Sequence, residues 1–309
     1  MESFRIAFSN VLMILIYMSP GYVLSKFKMA RAEHLSTMST ILIYVCSPCM
    51  IVSSFLSLDF SRKSLEDMAI FFVISFIMQC LFMLCIYGLF RKKYEDAKYR
   101  ILTIGSVLGN VGFFGMPLIK AMLPDYPEAA CYSSIYVITM NILVFTVGVY
   151  CLTQDSKYIS LKVAVNNPST YAFVLSFVIY ITSSGDKLPS LISDAINLMG
   201  KMTTPFCMLI LGVRLGTMSI KKLFSNGFVY FICVCKLILY PLFCFGLVYL
   251  LPISYVVKAS VLILASAPSA SVILNMAEIH HSEQELSANL LLLCTLLCIC
   301  TIPFLVMLL

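Results

Sequence analysis

Residues 105–117 read GSVLGNVGFFGMP, and the reading of that stretch decides the fold. It lies inside an apolar segment, 101–123, long enough to cross a bilayer, for which roughly 20 residues suffice. Yet Gly105, Gly109, Gly112, Gly115, Asn110 and Pro117 favour interrupting a helix over continuing it. Backbone without helical hydrogen bonds is tolerated at membrane depth only where protein buries it or where it lines a wet cavity. An interrupted helix here marks a candidate binding site; the alternative is a kink in an ordinary packed helix.

The surrounding chain is equally apolar. Of 309 residues, 61% are hydrophobic and 12% charged, and the mean hydropathy is +0.97, whereas a soluble domain carries about 25% charged residues. No water-soluble core hides that much apolar surface, so the fold class is an all-α polytopic membrane protein embedded in the lipid bilayer. Ten apolar segments can be marked, at 4–24, 35–56, 68–90, 101–123, 129–152, 163–182, 191–213, 228–250, 256–276 and 286–309. The first is long enough to span and no small-residue cleavage site follows it, so it is read as a crossing rather than a removable signal. The 13 cysteines fall mostly inside these segments, where a thiol behaves as a small hydrophobe. No disulfide framework is expected. Cys46-x-x-Cys49 brackets Ser47-Pro48 in mid-segment and is not read as a redox pair.

No cofactor and no metal are expected. A phosphate-binding loop is absent, and His280-His281, beside Glu278, Glu283 and Glu285, lacks ligand spacing. The net charge of +6 sits mainly in loops, where it sets topology rather than a nucleic-acid surface. One set of alternate loops holds Lys26, Lys28, Arg31, Arg91, Lys92, Lys93, Lys98, Arg100, Lys157, Lys162, Arg214, Lys221 and Lys222. The opposite side holds only Arg5, Arg62, Lys63, Lys120, Lys187 and Lys258. The richer side is expected to be cytoplasmic, which puts both termini of a multi-pass cell-membrane protein on the other face.

The segments fall into two halves, 1–160 and 161–309, of five each. Ser47-Pro48 interrupts the second segment and Thr204-Pro205 the seventh; the 105–117 stretch interrupts the fourth and Ala265-Ser266-Ala267-Pro268-Ser269-Ala270-Ser271 the ninth. An odd number of crossings inverts the second half relative to the first, and paired interruptions in inverted halves are the best sequence pointer to a secondary transporter's binding site. Pro117 and Pro268 suit the first turn of a resumed half-helix. The N–H groups freed there carry partial positive charge, so two such ends facing each other favour an anion. Asn110, Gly112, Gly115, Pro117, Ser266, Pro268, Ser269, Ser271 and Asn275 are the candidate binding residues, the polar ones adding neutral hydrogen bonds.

In the order Gly109-Asn110-Val111-Gly112-Phe113-Phe114-Gly115-Met116-Pro117-Leu118, Thr204-Pro205, Leu211-Gly212-x-x-Leu215, Lys236-x-x-x-Tyr240-Pro241 and Ala267-Pro268-Ser269-Ala270, the whole chain resembles the auxin efflux carrier family, in particular its short bacterial organic-anion permease members. The resemblance implies ten transmembrane helices in two inverted five-helix repeats with crossed, broken helices 4 and 9. It implies a scaffold of segments 1, 2, 6 and 7, often the contact of a homodimer, and a transport unit of segments 3–5 and 8–10 that moves like an elevator. A small organic anion, a carboxylate, would sit at the crossing. The long cytoplasmic loop of the plant auxin exporters is missing, so auxin itself is not implied.

Two of the basic residues within segments, Lys236 and Lys201, bear on the site. Lys236 is deep in the eighth, where a buried ammonium must find a partner. The carbonyl ends of the interrupted helices, where a coupling sodium ion would otherwise sit, are one such partner. Lys201 either meets a substrate carboxylate or marks a segment end. An enzyme is not expected, because no nucleophile–base set or carboxylate pair lies at membrane depth. The alternative within transport is a sodium- or proton-coupled symporter or antiporter of the related bile-acid-symporter-like architecture.

Overall fold

The computed structural model describes residues 1–182 and 188–309; Lys187, counted above among the sparser charges, lies outside the described residues. Among them the chain is helical, with no strand. Its main elements are α1 (Glu2–Lys26), α2 (His34–Leu56), α3 (Arg62–Lys93), α4 (Ala97–Gly105), α5 (Val111–Met122), α6 (Ala129–Thr153), α7 (Pro168–Thr182), α8 (Ser190–Thr217), α9 (Gly227–Tyr249), α10 (Tyr255–Ala265), α11 (Ser271–Ile279) and α12 (Gln284–Leu308). Seven of these, α1, α2, α3, α6, α8, α9 and α12, are long and apolar enough to cross a membrane. The fourth apolar segment is divided between α4 and α5 and the ninth between α10 and α11. The side-chain pattern is that of a lipid-facing bundle: on α3, Val73, Ile77 and Leu84 are exposed while Ser75 and Gln79 are fully buried. Gln79 Nε2 donates to Thr139 Oγ1 of α6 at 2.9 Å.

The basic loops gather at one end of the bundle. Lys26 Nζ donates to the Gly216 carbonyl at 3.1 Å, Lys98 Nζ lies 5.7 Å over the Phe228 ring, and Tyr158 packs against His280 at 5.3 Å. At the other end, the Ser61 amide donates to Tyr180 Oη and Ser254 Oγ to Asp67 Oδ2.

Ser47-Pro48 and Thr204-Pro205 do not break their helices. α2 passes through a π-turn, Leu42–Cys46, and α8 bends at Met202. Three π-turns, Leu42–Cys46, Val111–Gly115 and Cys235–Leu239, each end two residues before a proline, namely Pro48, Pro117 and Pro241. Proline lacks an amide and its ring collides with the carbonyl one turn back; the wider i→i+5 turn opens the helix at that point. The carbonyl that Pro117 leaves without its helical donor, that of Phe113, accepts from Thr204 Oγ1 at 2.7 Å; the neighbouring Thr203 Oγ1 donates to the Cys46 carbonyl of α2 at 3.0 Å.

The closest helix contact joins the second half of α1 to α8. A Cβ on Gly212 would stand 2.0 Å from the Met18 carbonyl oxygen, and one on Gly21 would stand 2.1 Å from that of Leu209. Small residues permit this approach, and in lipid such packing, rather than hydrophobic exclusion, holds helices together.

Candidate binding site at the crossing of two interrupted helices

The two interruptions meet. The Asn110 amide donates to the Pro268 carbonyl at 2.7 Å and the Ala270 amide to the Leu108 carbonyl at 3.0 Å, so Gly109 and Ser269 face each other as an isolated antiparallel bridge. Ser269 Oγ donates to the Gly105 carbonyl at 3.0 Å. Each break thus supplies the hydrogen-bond partners the other lost, which is how extended backbone survives in an apolar bundle.

The carbonyl end of α10 has a cation. Lys236, fully buried on the π-turn of α9, donates from Nζ to the Ala265 carbonyl at 2.9 Å and lies 4.6 Å over the Tyr240 ring. The Tyr240 and Tyr136 hydroxyls form a hydrogen bond behind it. A Cβ on Gly109 would come within 2.9 Å of Nζ; glycine lets the ammonium reach the break. Positive charge at a helix C-terminus is favourable.

The amide ends face a cavity of about 110 Å³. α5 starts at Val111 with a π-turn in which the Phe114 and Gly115 amides both donate to the Asn110 carbonyl. α11 starts at Ser271. Among the described residues no acceptor faces the amides of Gly112, Phe113, Ser271 or Val272, and all four residues line the cavity. Asn110 lines it too, is 4% exposed, and its Nδ2 finds no oxygen or nitrogen acceptor, only the weakly accepting Cys207 thiol. Such a buried donor is costly unless something fills the space before it. Asn141 and Asn275 add two further amides, and Ser47, Ser134, Ser169 and Asn167 complete the polar part. Ser47 and Ser169 hydroxyls lie 3.2 Å apart. Ile43, Met50, Ile51, Val137 and Met140 form apolar walls, and among the described residues no charged side chain lines the space.

Of the candidates read from sequence, Asn110, Gly112, Ser271 and Asn275 come together at this cavity. The others do not reach it. Ser266 Oγ turns back to the Leu262 carbonyl, Ser269 is committed to Gly105 and to Cys294, and Gly115 packs beneath Leu264. Pro117 stands in the first turn of the α-helical stretch Met116–Met122, behind the π-turn with which α5 opens, whereas Pro268 lies in the extended ribbon ahead of Ser271. Lys201 is exposed at the bend of α8 and away from the cavity. Asn141 and Asn167 were missed; an asparagine inside an apolar segment was the available signal for the first.

A lipid-facing helical bundle enclosing a cavity at paired interrupted helices defines a membrane transporter. The chain belongs to the membrane transport protein family, an auxin efflux carrier-like family: its profile matches residues 6–162 and 156–306. Curated relatives are an uncharacterized transporter of Methanocaldococcus jannaschii, 27% identical over 291 residues, covering 92% of this chain and 93% of the relative, and one of Methanothermobacter thermautotrophicus, 24% identical over 299 residues, covering 95% of each.

Proposed function

We propose that the protein is a secondary carrier of small organic anions, carboxylates, working by alternating access in the cell membrane. In this reading ten crossings form two inverted repeats, 1–160 and 161–309. α1, α2, α7 and α8 are the scaffold, through which two copies pair. The remaining helices are a transport body that slides against it, carrying solute at the crossing. The end bearing Lys26 and Lys98 faces the cytoplasm.

The observation that carries the proposal is the concentration of donors: four amides at two opposed helix starts, with Asn110 Nδ2, in one cavity that no charged side chain lines among the described residues. Such a site matches a solute rich in oxygen lone pairs and negative charge, while the apolar walls match a short hydrocarbon body. A thermal-shift screen of the purified protein against mono- and dicarboxylates tests it. A bound carboxylate at a hundred times its Kd should raise the apparent stability by about 2.7 kcal/mol. Stabilisation by amines or neutral sugars, with none by any carboxylate, would overturn the assignment.

Sodium-coupled carriage is the second reading, and Lys236 argues against it. The ammonium already supplies positive charge at the Ala265 carbonyl, where a coupling cation would otherwise be drawn. Uptake into proteoliposomes is therefore expected to persist when choline fully replaces sodium; a strict sodium requirement would refute this.

A further inference from the structure

Two more spaces continue from the cavity toward the basic end. A neck of about 30 Å³ is lined by Phe113, Cys207, Arg214 and Asn275 among others. Beyond it a cleft of about 850 Å³ is lined by Tyr44, Arg214, Asn275 and Glu278, among others. Ile43 and Asn275 border all three spaces, so cavity, neck and cleft follow one another. Among the described residues Arg214 is the only charged side chain on the neck.

Arg214 stands on α8, and its Nη1 meets Glu278 Oε1 of α11 at 2.5 Å. The arginine side chain is 13% exposed and the glutamate 43%. Glu278 lies in the last turn of α11, where the helix dipole disfavours a carboxylate; the helix itself gives no reason for a negative charge there. The pair also ties α8 to the helix whose other end supplies Ser271 and Asn275 to the cavity.

We infer that Arg214 is the anion-selecting residue of this entrance, and that Glu278 holds it across the neck until an incoming anion takes the carboxylate's place. The inference rests on the anion-carrier reading above. A guanidinium can trade one carboxylate for another, and a partly exposed ion pair held by one contact is weak enough to be exchanged. A cation or neutral solute offers Arg214 no such exchange, so the neck passes anions preferentially.

Cys207 borders the neck and is 2% exposed, which makes its thiol a reporter. Its rate of modification by an anionic sulfonate-bearing methanethiosulfonate is compared with that by a cationic trimethylammonium analogue, using peptide mass spectrometry. The wild type is expected to react slowly, and faster with the anionic reagent. Glu278→Gln should raise the anionic rate roughly tenfold by freeing the field of Arg214, and Arg214→Gln should erase the preference. Glu278 is close to half-exposed, so its variant tests the pair even where Arg214→Gln lowers the melting temperature. An unchanged anionic rate in a folded Glu278→Gln protein, or a Cys207 inert in every variant, would overturn the inference. The probe is the reagent itself, so failure of the carboxylate screen and failure of this experiment are separate results.

Discussion

Gly212→Ala is expected to cost about 3 kcal/mol or more, enough to deplete the folded protein. Its new Cβ would stand 2.0 Å from the Met18 carbonyl oxygen and 2.9 Å from the Tyr22 amide nitrogen. Both neighbours are main chain inside α1, so neither can rotate away. Relief requires α1 and α8 to separate, which forfeits dispersion contacts along their length and disturbs the bond from Lys26 to Gly216. Gly88→Ala and Gly246→Ala are the matched controls: nothing lies within 4 Å of either new Cβ, and alanine favours a helix by up to about 1 kcal/mol over glycine. Melting temperature and monodispersity in detergent check all three. A Gly212→Ala protein that melts with the controls would show that α1 and α8 do not touch so closely.

Asn110→Ala should separate binding from folding. The main-chain bond from Asn110 to Pro268 survives the substitution, and the side-chain Nδ2 gives up only its weak contact with the Cys207 thiol. The melting temperature without solute should hold or rise slightly. Affinity for the carboxylate found by screening should fall roughly 10- to 100-fold, since a hydrogen bond to a charged group contributes about 1.5–3 kcal/mol. Titration calorimetry measures it directly, and unchanged affinity in the folded variant would remove Asn110 from the site.

The interruptions were legible because they depend on residues with unusual backbone freedom. Glycine at 109 and 112, asparagine at 110 and proline at 268 announce lost helix wherever they cluster. The pairing of the interruptions was expected from the symmetry of the halves, and their crossing was implied by the family resemblance. What stayed hidden depends on how hydrogen bonds slip, not on composition. LIYVC, VFTVG and CKLIL read as plain helix, and nothing in their side chains reports an i→i+5 turn. The proline two positions after the first and third of them is a signal recognised only with the geometry in hand. Proline was half a guide: Pro117 does stand in the first turn of the α-helical stretch Met116–Met122, whereas Pro268 lies in the extended backbone ahead of Ser271, where α11 starts. The far wall of the cavity was invisible for another reason. Ser47 comes from α2, Asn141 from α6 and Asn167 from the turn before α7, and only tertiary packing brings them opposite Asn110.

The short ribbon between Leu108–Asn110 and Pro268–Ala270 rivets the two severed helices to each other. Neither can shift along its own axis without tearing main-chain bonds that no water at that depth would replace. Under the sliding mechanism proposed above, a solute resting on Gly112 and Ser271 would keep those two contacts, because the ribbon joins them into one piece. Ser47 and Ser169 belong to α2 and α7 and lie outside that piece, so in the same proposal theirs are the contacts a moving solute would have to release.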